Sequence, residues 1–375
     1  MSAGLNINAN MMTWAVDRAG FDLQEFIGKY PKLEHWLNGT KQPTLKQLEE
    51  FSKKVYLPFG YLLLPEPPKE ALPMPFFRTN RKATQKVSIN VYDTVLMIQQ
   101  RQEWLSDYLQ ENDFEPVPFV GRFTADADVQ LVVDDIRQTL GLARNWASYC
   151  SNWQNALDRL TQRIEGAGVN VSFNGVVGNS TNRAISVDEC RGFVLVDKYA
   201  PFMFVNNADS KAAQLFTIAH EVAHVWLGES AGFDMMRLQP ADDPTESFCN
   251  AVAAELLVPT DLFNEVWDGD HGFARYARFF KVSELVIARR ALDTGKISRQ
   301  RFFAFYKEYI LREFTKKKEQ DSGGNFYATT KKRIGLLFAT HVNQAVKSGS
   351  LFYRDAYRLT GLKGDTFQTF FTQHL

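Results

Sequence analysis

One stretch indicates the fold of this chain, His220-Glu221-Val222-Ala223-His224. On a helix, residues four positions apart lie on the same face, so both imidazoles can reach one metal ion. Glu221 lies beside that pair, where its carboxylate can accept a proton from water. The chain has six histidines, and composition alone rarely gives two of them this spacing around a glutamate. The pattern predicts a zinc-binding helix; the alternative is a helix whose polar face carries two ordinary histidines.

The residues around the motif predict where its helix begins and ends. Asp209 or Ser210 is expected to cap the amino end, and Gly228 to end the helix because glycine accepts a left-handed conformation. The stripe expected to face the core consists of Leu215, Ile218, Ala219, Val222 and Val225. It leaves His220 and His224 on another face, which argues against histidines that merely fill the core.

A catalytic zinc ion takes three protein ligands, so the motif lacks one. Asp243 and Pro244 predict the start of a second helix, with Asp243 as N-cap and Pro244 as the first helical residue. Glu246 then lies in the first turn, where its carboxylate can ligate the metal. Asn250, four residues later on the same face, can orient a ligand histidine by a hydrogen bond. Glu246 is therefore the predicted third ligand.

Other acidic residues and one histidine are alternatives. Asp243 and Glu246 also have the spacing of a capping box, in which Glu246 would only accept a backbone N–H. Glu255 can face the centre only if Glu246 does not, because nine residues place it half a turn out of phase. Asp242, Asp243 and His271 are weaker candidates, expected in loops or at the surface.

The rest of the chain predicts an α+β fold that is predominantly α-helical. Short apolar stretches before the motif helix predict strands at 169–173, 192–196 and 202–205. Residues 88–113 and 127–166, and most of the chain beyond 265, predict helices. A small sheet followed by the motif helix is therefore expected in the middle of the chain.

Composition and turn signals divide the chain into four parts. A proline-rich stretch at 64–75 cannot be helical throughout, and Gly323-Gly324 indicates a polar loop at 319–325. The predicted parts are a helix-turn-helix bundle (1–64), a proline-rich linker with a helical segment (65–150), the domain of the sheet and motif helix (151–264), and a basic helical region (265–375).

Residues 1–64 predict short helices joined by tight turns, as in a helix-turn-helix module. Gly39 is expected to end one of these helices. Thr44 and Gln47 have the spacing of a capping box, which predicts the start of the next helix.

The net charge is zero, but charge is distributed unevenly along the chain. Residues 1–64 have seven basic and six acidic side chains, residues 65–270 have 16 and 29, and residues 271–375 have 20 and eight. The basic last third, with Lys316-Lys317-Lys318, points to an acidic partner. Alternatively, it docks on the acidic middle of the same chain.

Cysteine usage and the absence of apolar segments predict the compartment. Cys150, Cys190 and Cys249 are widely spaced, which favours a reducing cytosol and no disulfide framework. The first residues show neither the basic start nor the apolar stretch of a signal peptide. No apolar run approaches the roughly 18 residues that span a bilayer. We therefore expect a cytoplasmic protein with no membrane partner.

The two motifs resemble those of the ImmA/IrrE metallopeptidases. The second motif, Glu246-x-x-Cys249-Asn250-Ala251-Val252-Ala253-Ala254-Glu255-Leu256-Leu257-Val258-Pro259, is close to the family pattern E-x-x-A-N-x-F-A-x-E-L-L-x-P. Cysteine and valine replace the usual alanine and phenylalanine. The resemblance covers about residues 151–264 and implies a zincin-like domain. In that domain His220, His224 and Glu246 bind Zn²⁺, and Glu221 is the base.

The amino-terminal module resembles an XRE-type helix-turn-helix domain. The stretch Trp36-Leu37-Asn38-Gly39-Thr40-Lys41-Gln42-Pro43-Thr44 is close to that family's W-x-x-G-x-x-x-P-S/T, although the turn and recognition helix are several residues shorter. The resemblance implies DNA contact through Lys32, His35, Asn38 or Lys41. The small net charge gives little attraction to phosphate, so the module is alternatively expected to hold a partner or to form a homodimer.

A fusion of these modules is similar to regulators of phage repressor and toxin–antitoxin loci. It implies a zinc-dependent regulatory endopeptidase that cleaves a repressor or partner protein, with the substrate bound as an extended segment near the predicted strands. The alternative is an antitoxin or transcriptional regulator that neutralises a co-encoded PIN-like toxin and has a structural or vestigial zinc site. The third hypothesis, that the chain is only a transcription factor, is weakened by the modest basicity of residues 1–64.

Overall fold

The computed structural model describes residues 7–70, 76–78, 87–234, 243–269, 272–316 and 325–375. The fold divides into two compact units. The first contains residues 7–70 and 87–93, and the second contains residues 76–78 and the described residues from 94 onwards. The chain therefore enters the second unit for residues 76–78, returns to the first, and enters the second again after residue 93.

The first unit is built from short helices around one apolar core. Its elements are α1 (Ala9–Arg18), α2 (Leu23–Lys29), α3 (Lys32–Leu37), α4 (Leu45–Lys54) and a 3-10 turn at Phe59–Leu63. Phe51 of α4 lies at the centre of this core, where its ring packs against Phe26, Tyr30 and Trp36. The short helices of this unit agree with the sequence-based expectation.

The start of α4 shows the predicted capping box. The Thr44 hydroxyl accepts the N–H of Gln47 at 3.4 Å, and Gln47 Oε1 accepts the N–H of Thr44 at 2.9 Å. Gly39, after α3, has a φ of 72°, the left-handed conformation expected of it.

In the described part of the chain, the second unit contains a mixed sheet of five strands and a two-stranded ribbon. The strands are β1 (Phe76–Arg78), β2 (Asn170–Phe173), β3 (Val176–Val177), β4 (Ser180–Ala184), β5 (Gly192–Leu195), β6 (Phe202–Val205) and β7 (Ala231–Asp234). The order in the sheet is β1-β7-β5-β6-β2, and β3 pairs with β4. β5 is antiparallel to both neighbours, whereas β1 is parallel to β7 and β2 to β6. Sequence analysis predicted β2, β5 and β6 and missed the others.

From α5 onwards the second unit is mainly helical, which confirms the predicted class. Its helices are α5 (Ile89–Glu111), whose first five residues belong to the first unit, α6 (Val129–Leu140), α7 (Trp153–Gly166), α8 (Lys211–Leu227), α9 (Pro244–Leu257), α10 (Thr260–Val266), α11 (Phe273–Phe280), α12 (Glu284–Asp293), α13 (Arg299–Lys316), α14 (Phe326–Ile334), α15 (Leu336–Lys347), α16 (Tyr353–Thr360) and α17 (Gly364–Thr369). A 3-10 turn at Trp146–Tyr149 and a π-helical turn at Phe370–His374 complete them. None of the described helices has the length and apolar character needed to cross a membrane.

The stretch 127–166, which was expected to be helical, contains two α-helices with a 3-10 turn between them. Gly141 ends α6 with a φ of 60°, and the Asn152 side chain caps α7 by accepting the N–H of Asn155 at 2.8 Å. Both residues are short-range sequence signals, since glycine commonly ends helices and asparagine commonly caps their amino ends. The polar loop expected at 319–325 lies outside the described residues except for Asn325, and so do residues 71–75 of the proline-rich stretch.

The C-terminal helices cover the β2 edge of the sheet. α14 and α15 pack against β2, and Ser172 Oγ donates a hydrogen bond to the Arg333 carbonyl at 2.6 Å. The buried Arg101 side chain donates to the same carbonyl at 3.1 Å. A Cβ on Gly335 would lie 2.6 Å from the Val171 carbonyl oxygen, so this close approach requires glycine. No further strand can therefore pair with β2 at this edge of the sheet.

Glu165 at the end of α7 caps α15. Its carboxylate accepts the Leu337 N–H at 3.2 Å, one of the donors that a helix leaves unpaired at its amino end. Gly335, which precedes α15, has no side chain to do this. Burial raises the pKa of Glu165 to about 7, although backbone N–H groups and Lys331 act in the opposite direction. This carboxyl group therefore titrates near neutral pH.

We expect Glu165→Gln to make the free energy of unfolding less dependent on pH. The folded protein binds the Glu165 proton more tightly than the unfolded chain, so wild-type stability falls as pH rises from 4.5 to about 7. The full effect corresponds to about 3 kcal/mol. Relative to wild type, the glutamine variant should be more stable at pH 8 than at pH 5, as measured by urea unfolding. The exposed Glu111→Gln is the control, and an unchanged pH dependence in Glu165→Gln would contradict the assignment.

Candidate metal centre

α8 holds the motif inside the second unit. Ser210 Oγ caps its start by accepting the Ala213 N–H at 3.2 Å, and Gly228 ends it with a φ of 75°, as the sequence predicts. The helix is buried on all sides beyond its first turn, because α7, α9 and the sheet surround it. His220 and His224 face α9 and are 0% and 1% exposed. The single core-facing stripe expected from the sequence therefore understates the burial of α8.

α9 brings Glu246 to the two histidines. The helix begins at Pro244, and the Asp243 carboxylate accepts the Glu246 N–H at 3.2 Å. In the rival capping-box arrangement, the Glu246 carboxylate would turn back to the amino end of its own helix. Its oxygens instead contact the imidazoles of His220 and His224. Asp243 thus caps α9 while Glu246 faces α8.

The donor atoms of these three side chains lie close together as a triangle of two imidazole nitrogens and one carboxylate group. Nε2 of His220 and Nε2 of His224 are 3.1 Å apart. Glu246 places Oε2 3.2 Å from the first nitrogen and Oε1 3.2 Å from the second. Ligands about 2.0–2.2 Å from a tetrahedral zinc ion lie roughly 3.3–3.6 Å apart. The observed separations are slightly shorter than this range, and the three buried groups are close enough to hold one metal ion.

Asn250 determines which nitrogen of His220 faces the triangle. Its Oδ1 lies 3.1 Å from Nδ1 of the imidazole. A carbonyl oxygen only accepts hydrogen bonds, so Nδ1 carries the hydrogen and Nε2 presents a lone pair. Metal-ligating histidines generally have such a partner on the other ring nitrogen. This contact corresponds to the orienting role that the sequence predicts for Asn250.

Burial and neighbouring groups set the charges at the centre. Burial lowers the pKa of His220 to about 4, so its imidazole is neutral at neutral pH. Burial also opposes ionisation of Glu246, but the two imidazoles beside it outweigh this effect and lower its pKa to about 2. A neutral imidazole and an ionised carboxylate are the states in which these side chains ligate a metal.

The centre has more acceptors than donors. Among the residues that the structure describes, Glu246 Oε1 and both carboxylate oxygens of Glu221 are buried without a hydrogen-bond partner. Because Nε2 of His220 carries no hydrogen, its 3.2 Å contact with Glu246 Oε2 brings two lone pairs together. Acceptors buried without donors are costly, and a cation among them would offset that cost. The chemistry of the donor set therefore fits a metal ion.

Glu221 lies next to the triangle, where α8 approaches β5. Its Oε1 is 3.6 Å from the position that a Cβ on Gly192 would take. The same Cβ would lie 2.5 Å from Thr217 Cγ2 and 2.8 Å from the Phe204 carbonyl oxygen. Only glycine therefore lets the helix approach the strand so closely. Burial, followed by the negative charge of Glu246, raises the pKa of Glu221 well above its ordinary value.

Glu255, the other carboxylate considered on α9, has a different role. It accepts the N–H of Thr260 at 2.9 Å and the Thr260 hydroxyl at 2.6 Å, and it pairs with Arg290. These contacts join α9 to α10 and α12. Asp242 and His271, the remaining weaker candidates, lie outside the described residues.

A loop at 117–123 supports the carboxyl end of α8. Gly121 and Phe123 donate their N–H groups, each at 3.1 Å, to the carbonyl oxygens of Val225 and Trp226 in the last turn of the helix. Nε1 of Trp226, in the last turn, donates to the Asp135 carboxylate at 2.7 Å. No local pattern in the sequence indicates these contacts, since Asp135 and Trp226 are 91 residues apart.

The residues predicted to contact DNA lie exposed on the first unit. Lys32 and His35 are in α3, Asn38 follows it, and Lys41 lies in the connection to α4. Asn38 Oδ1 accepts a hydrogen bond from the Thr40 hydroxyl at 2.8 Å, and Nδ1 of His35 lies 3.2 Å from the same hydroxyl. Two of the four side chains thus also shape this turn. Their contact with DNA stays a prediction.

The basic C-terminal region is described in part. Lys316 is the last residue of α13, whereas Lys317 and Lys318 lie outside the described residues. Lys332 pairs with Asp158 of the acidic middle at 3.1 Å, and both side chains are about half exposed. Such exposed pairs contribute little to stability. The partner of the basic region stays a prediction.

Comparison with known proteins supports a peptidase relationship for the part of the chain that holds the centre. Residues 177–292 match the model of the IrrE N-terminal-like domain, Peptidase_M78, and residues 334–373 match a domain of unknown function, DUF8813. No curated protein matches the chain. The first match contains α8 and α9 and supports the ImmA/IrrE resemblance there, beyond the predicted limit at residue 264. Neither match reaches the first unit, so its XRE resemblance stays a prediction.

We expect Asn250→Ala to weaken zinc binding about 10- to 100-fold, because the His220 imidazole loses the acceptor that orients it. Glu246→Ala should weaken it further, since that substitution removes a ligand. Affinity can be measured by competition with a chelating dye on metal-free protein. Ser247→Ala, on the exposed side of α9, is the matched control. Wild-type affinity in Glu246→Ala would refute the ligand assignment.

We expect Gly192→Ala to destabilise the second unit by about 1–3 kcal/mol, because the new methyl group collides with Thr217 and the Phe204 carbonyl. Thermal unfolding measures the loss, and a zinc titration should show weaker binding as α8 is displaced. Gly166→Ala is the control, since a Cβ there meets nothing within 4 Å. Equal unfolding temperatures for the two variants would contradict the close approach of α8 to β5.

Proposed function

We propose that this protein is a zinc-dependent peptidase that cleaves a regulatory protein, such as a repressor or a partner of this chain. The proposal rests on the buried triangle of His220, His224 and Glu246 with the Glu221 carboxyl group beside it. Three protein donors leave a fourth tetrahedral position for water or substrate, which is the arrangement of catalytic rather than structural zinc sites. The match of residues 177–292 to a peptidase-family domain supports the same function.

The donor set favours zinc among the common metal ions. Two imidazole nitrogens and one carboxylate oxygen are typical zinc ligands, whereas magnesium and calcium prefer oxygen ligands alone. When bound, zinc would lower the pKa of water toward 7 and polarise a carbonyl group. His220, held by Asn250, and Glu246, held by the start of α9, would keep the ligands in place.

Glu221 is proposed as the general base. The positive charge of a bound zinc ion would oppose the rise in the pKa of Glu221, so that its carboxylate would accept a proton from the attacking water and pass it to the leaving amine. Gly192 allows this side chain to lie between α8 and β5 without a competing hydrogen-bond donor among the described residues. The proposed role of Glu221 therefore rests on its position beside the metal ligands and not on a hydrogen-bond partner.

The first unit is proposed to direct the peptidase to its target. Its short helices, its capping box and the exposed Lys32, His35, Asn38 and Lys41 are compatible with a helix-turn-helix module that contacts DNA. With one excess positive charge in residues 1–64, phosphate attraction is weak, and a protein partner or a second copy of the chain is an equal candidate.

A second candidate function is favoured by the burial of the centre. Groups that are at most 5% exposed can also serve a structural metal in a protein that only binds its partner, such as an antitoxin that neutralises a toxin. The cytoplasm is the compartment proposed for either function, because the three cysteines are buried free thiols. The two candidates differ in whether Glu221 is needed.

We expect Glu221→Gln to abolish proteolysis while zinc content and partner binding stay at wild-type levels. The substitution removes the base but leaves the three ligand side chains unchanged. The variant should be used in a pull-down from the native host, followed by mass spectrometry of captured proteins with and without wild-type enzyme. Glu229→Gln, at an exposed position just after α8, is the control.

A partner that the variant retains intact and the wild type cleaves would support the peptidase. A partner that both forms bind and neither cleaves would instead support the binding protein. If Glu221→Gln leaves every cellular phenotype unchanged, proteolysis is not the function.

A further inference from the structure

A row of paired residues crosses the sheet next to Glu221. Gly192 of β5, which approaches the Glu221 carboxylate, is paired with Phe233 of β7, and Phe233 is paired with Phe77 of β1. Neighbouring strands are about 4.8 Å apart, so the β1 backbone lies roughly 10 Å from Gly192. In the described part of the sheet, β1 is the outermost strand on this side.

The centre is closed in this structure. As whole residues, Glu221, His220, His224 and Glu246 are between 0% and 5% exposed. A substrate carbonyl group must come within hydrogen-bonding distance of such groups before it can react. Some part of the surrounding chain therefore has to move before a peptide can be cleaved.

The sheet positions nearest the centre are occupied by the chain itself. An extended peptide binds a sheet by adding a strand at a free edge. α14 and α15 cover the β2 edge, and β5 is paired on both sides, with β6 and with β7. β1 then pairs with β7 at the other end of the sheet. A substrate strand on this side has to take the place of β1.

The segment that carries β1 comes from the first unit and returns to it. Glu70 precedes this segment and Asp93 follows it. Within the first unit, the Arg18 side chain pairs with Glu70 at 2.7 Å and with Asp93 at 3.4 Å, and it is only 8% exposed. Arg18 thus anchors both ends of the segment.

We propose that β1 occupies, as an intramolecular strand, the sheet edge that an extended segment of the substrate would use. The peptidase is then latent while β1 is paired. This inference rests on the proposed function and specifies how the same centre is regulated. β1 pairs over three residues, fewer than the 5–6 of an ordinary strand, so a competing strand can displace it. Recognition at the edge uses backbone hydrogen bonds and therefore fits an extended polypeptide.

A reversible lock on β1 tests this inference in the full-length, zinc-loaded protein. The variant Phe77→Cys/Phe233→Cys places two cysteines at register partners, a separation that a disulfide can span. The native cysteines are buried, and the two single-cysteine variants control for them. One readout is the rate at which 4-(2-pyridylazo)resorcinol removes zinc, and the other is cleavage of fluorescently labelled casein, an unstructured probe.

The oxidised double variant should release zinc more slowly than its reduced form and should not cleave casein. Phe77→Pro should release zinc about tenfold faster than wild type, the change expected when one or two backbone hydrogen bonds of the strand are lost. It should also cleave casein faster. If the double variant fails to fold, Phe77→Pro still decides the question.

The two readouts separate the two proposals. Equal zinc release from the oxidised and reduced double variant, with wild-type release from Phe77→Pro, would overturn the role of β1 even if casein is cleaved. Failure of the disulfide to form in the folded protein would also overturn it. If zinc release depends on β1 but no form of the protein cleaves casein, the result would support the role of β1 at the sheet edge and contradict the proposed peptidase function.

Discussion

Three electron-pair donors buried within about 3 Å of one another constrain the rest of this fold. α8 supplies two of them from successive turns and α9 supplies the third, so neither helix can shift without opening the triangle. Gly192 lets α8 lie close to the sheet, and the loop at 117–123 holds its carboxyl end. Much of the second unit can be understood as support for this helix pair, since α8 is buried on all sides beyond its first turn.

Sequence alone predicts the parts of the centre that depend on short-range signals. The spacing of His220 and His224, the cap at Ser210 and the Pro244 start of α9 each involve residues within one or two helical turns. Glu246 could be chosen over Glu255 because the two differ in helical phase and only one can face α8. In the structure, Glu246 contacts the histidines, whereas Glu255 forms an ion pair with Arg290. The α+β class followed from the same local patterns.

The parts that sequence reasoning missed are contacts between distant segments. A three-residue strand such as β1 has too few positions to show a period of two, and its pairing with β7 joins residues far apart in the chain. The close approach at Gly192 and the capping of α15 by Glu165 depend on neighbours that are remote in sequence. Glycine and glutamate are common in many settings, so neither residue type indicates such a role by itself.

The connection of β1 to the first unit bears on how a latent peptidase would choose its substrate. A strand held in the same chain acts at an effective concentration of roughly millimolar, so a free peptide at ordinary cellular concentration competes poorly for the edge. A protein already bound to the first unit would gain a comparable effective concentration, provided that it can reach the sheet. Backbone pairing at the edge discriminates little between sequences, because it uses groups that every polypeptide has. Selectivity would therefore arise from what the first unit binds, while the metal centre would supply only the chemistry.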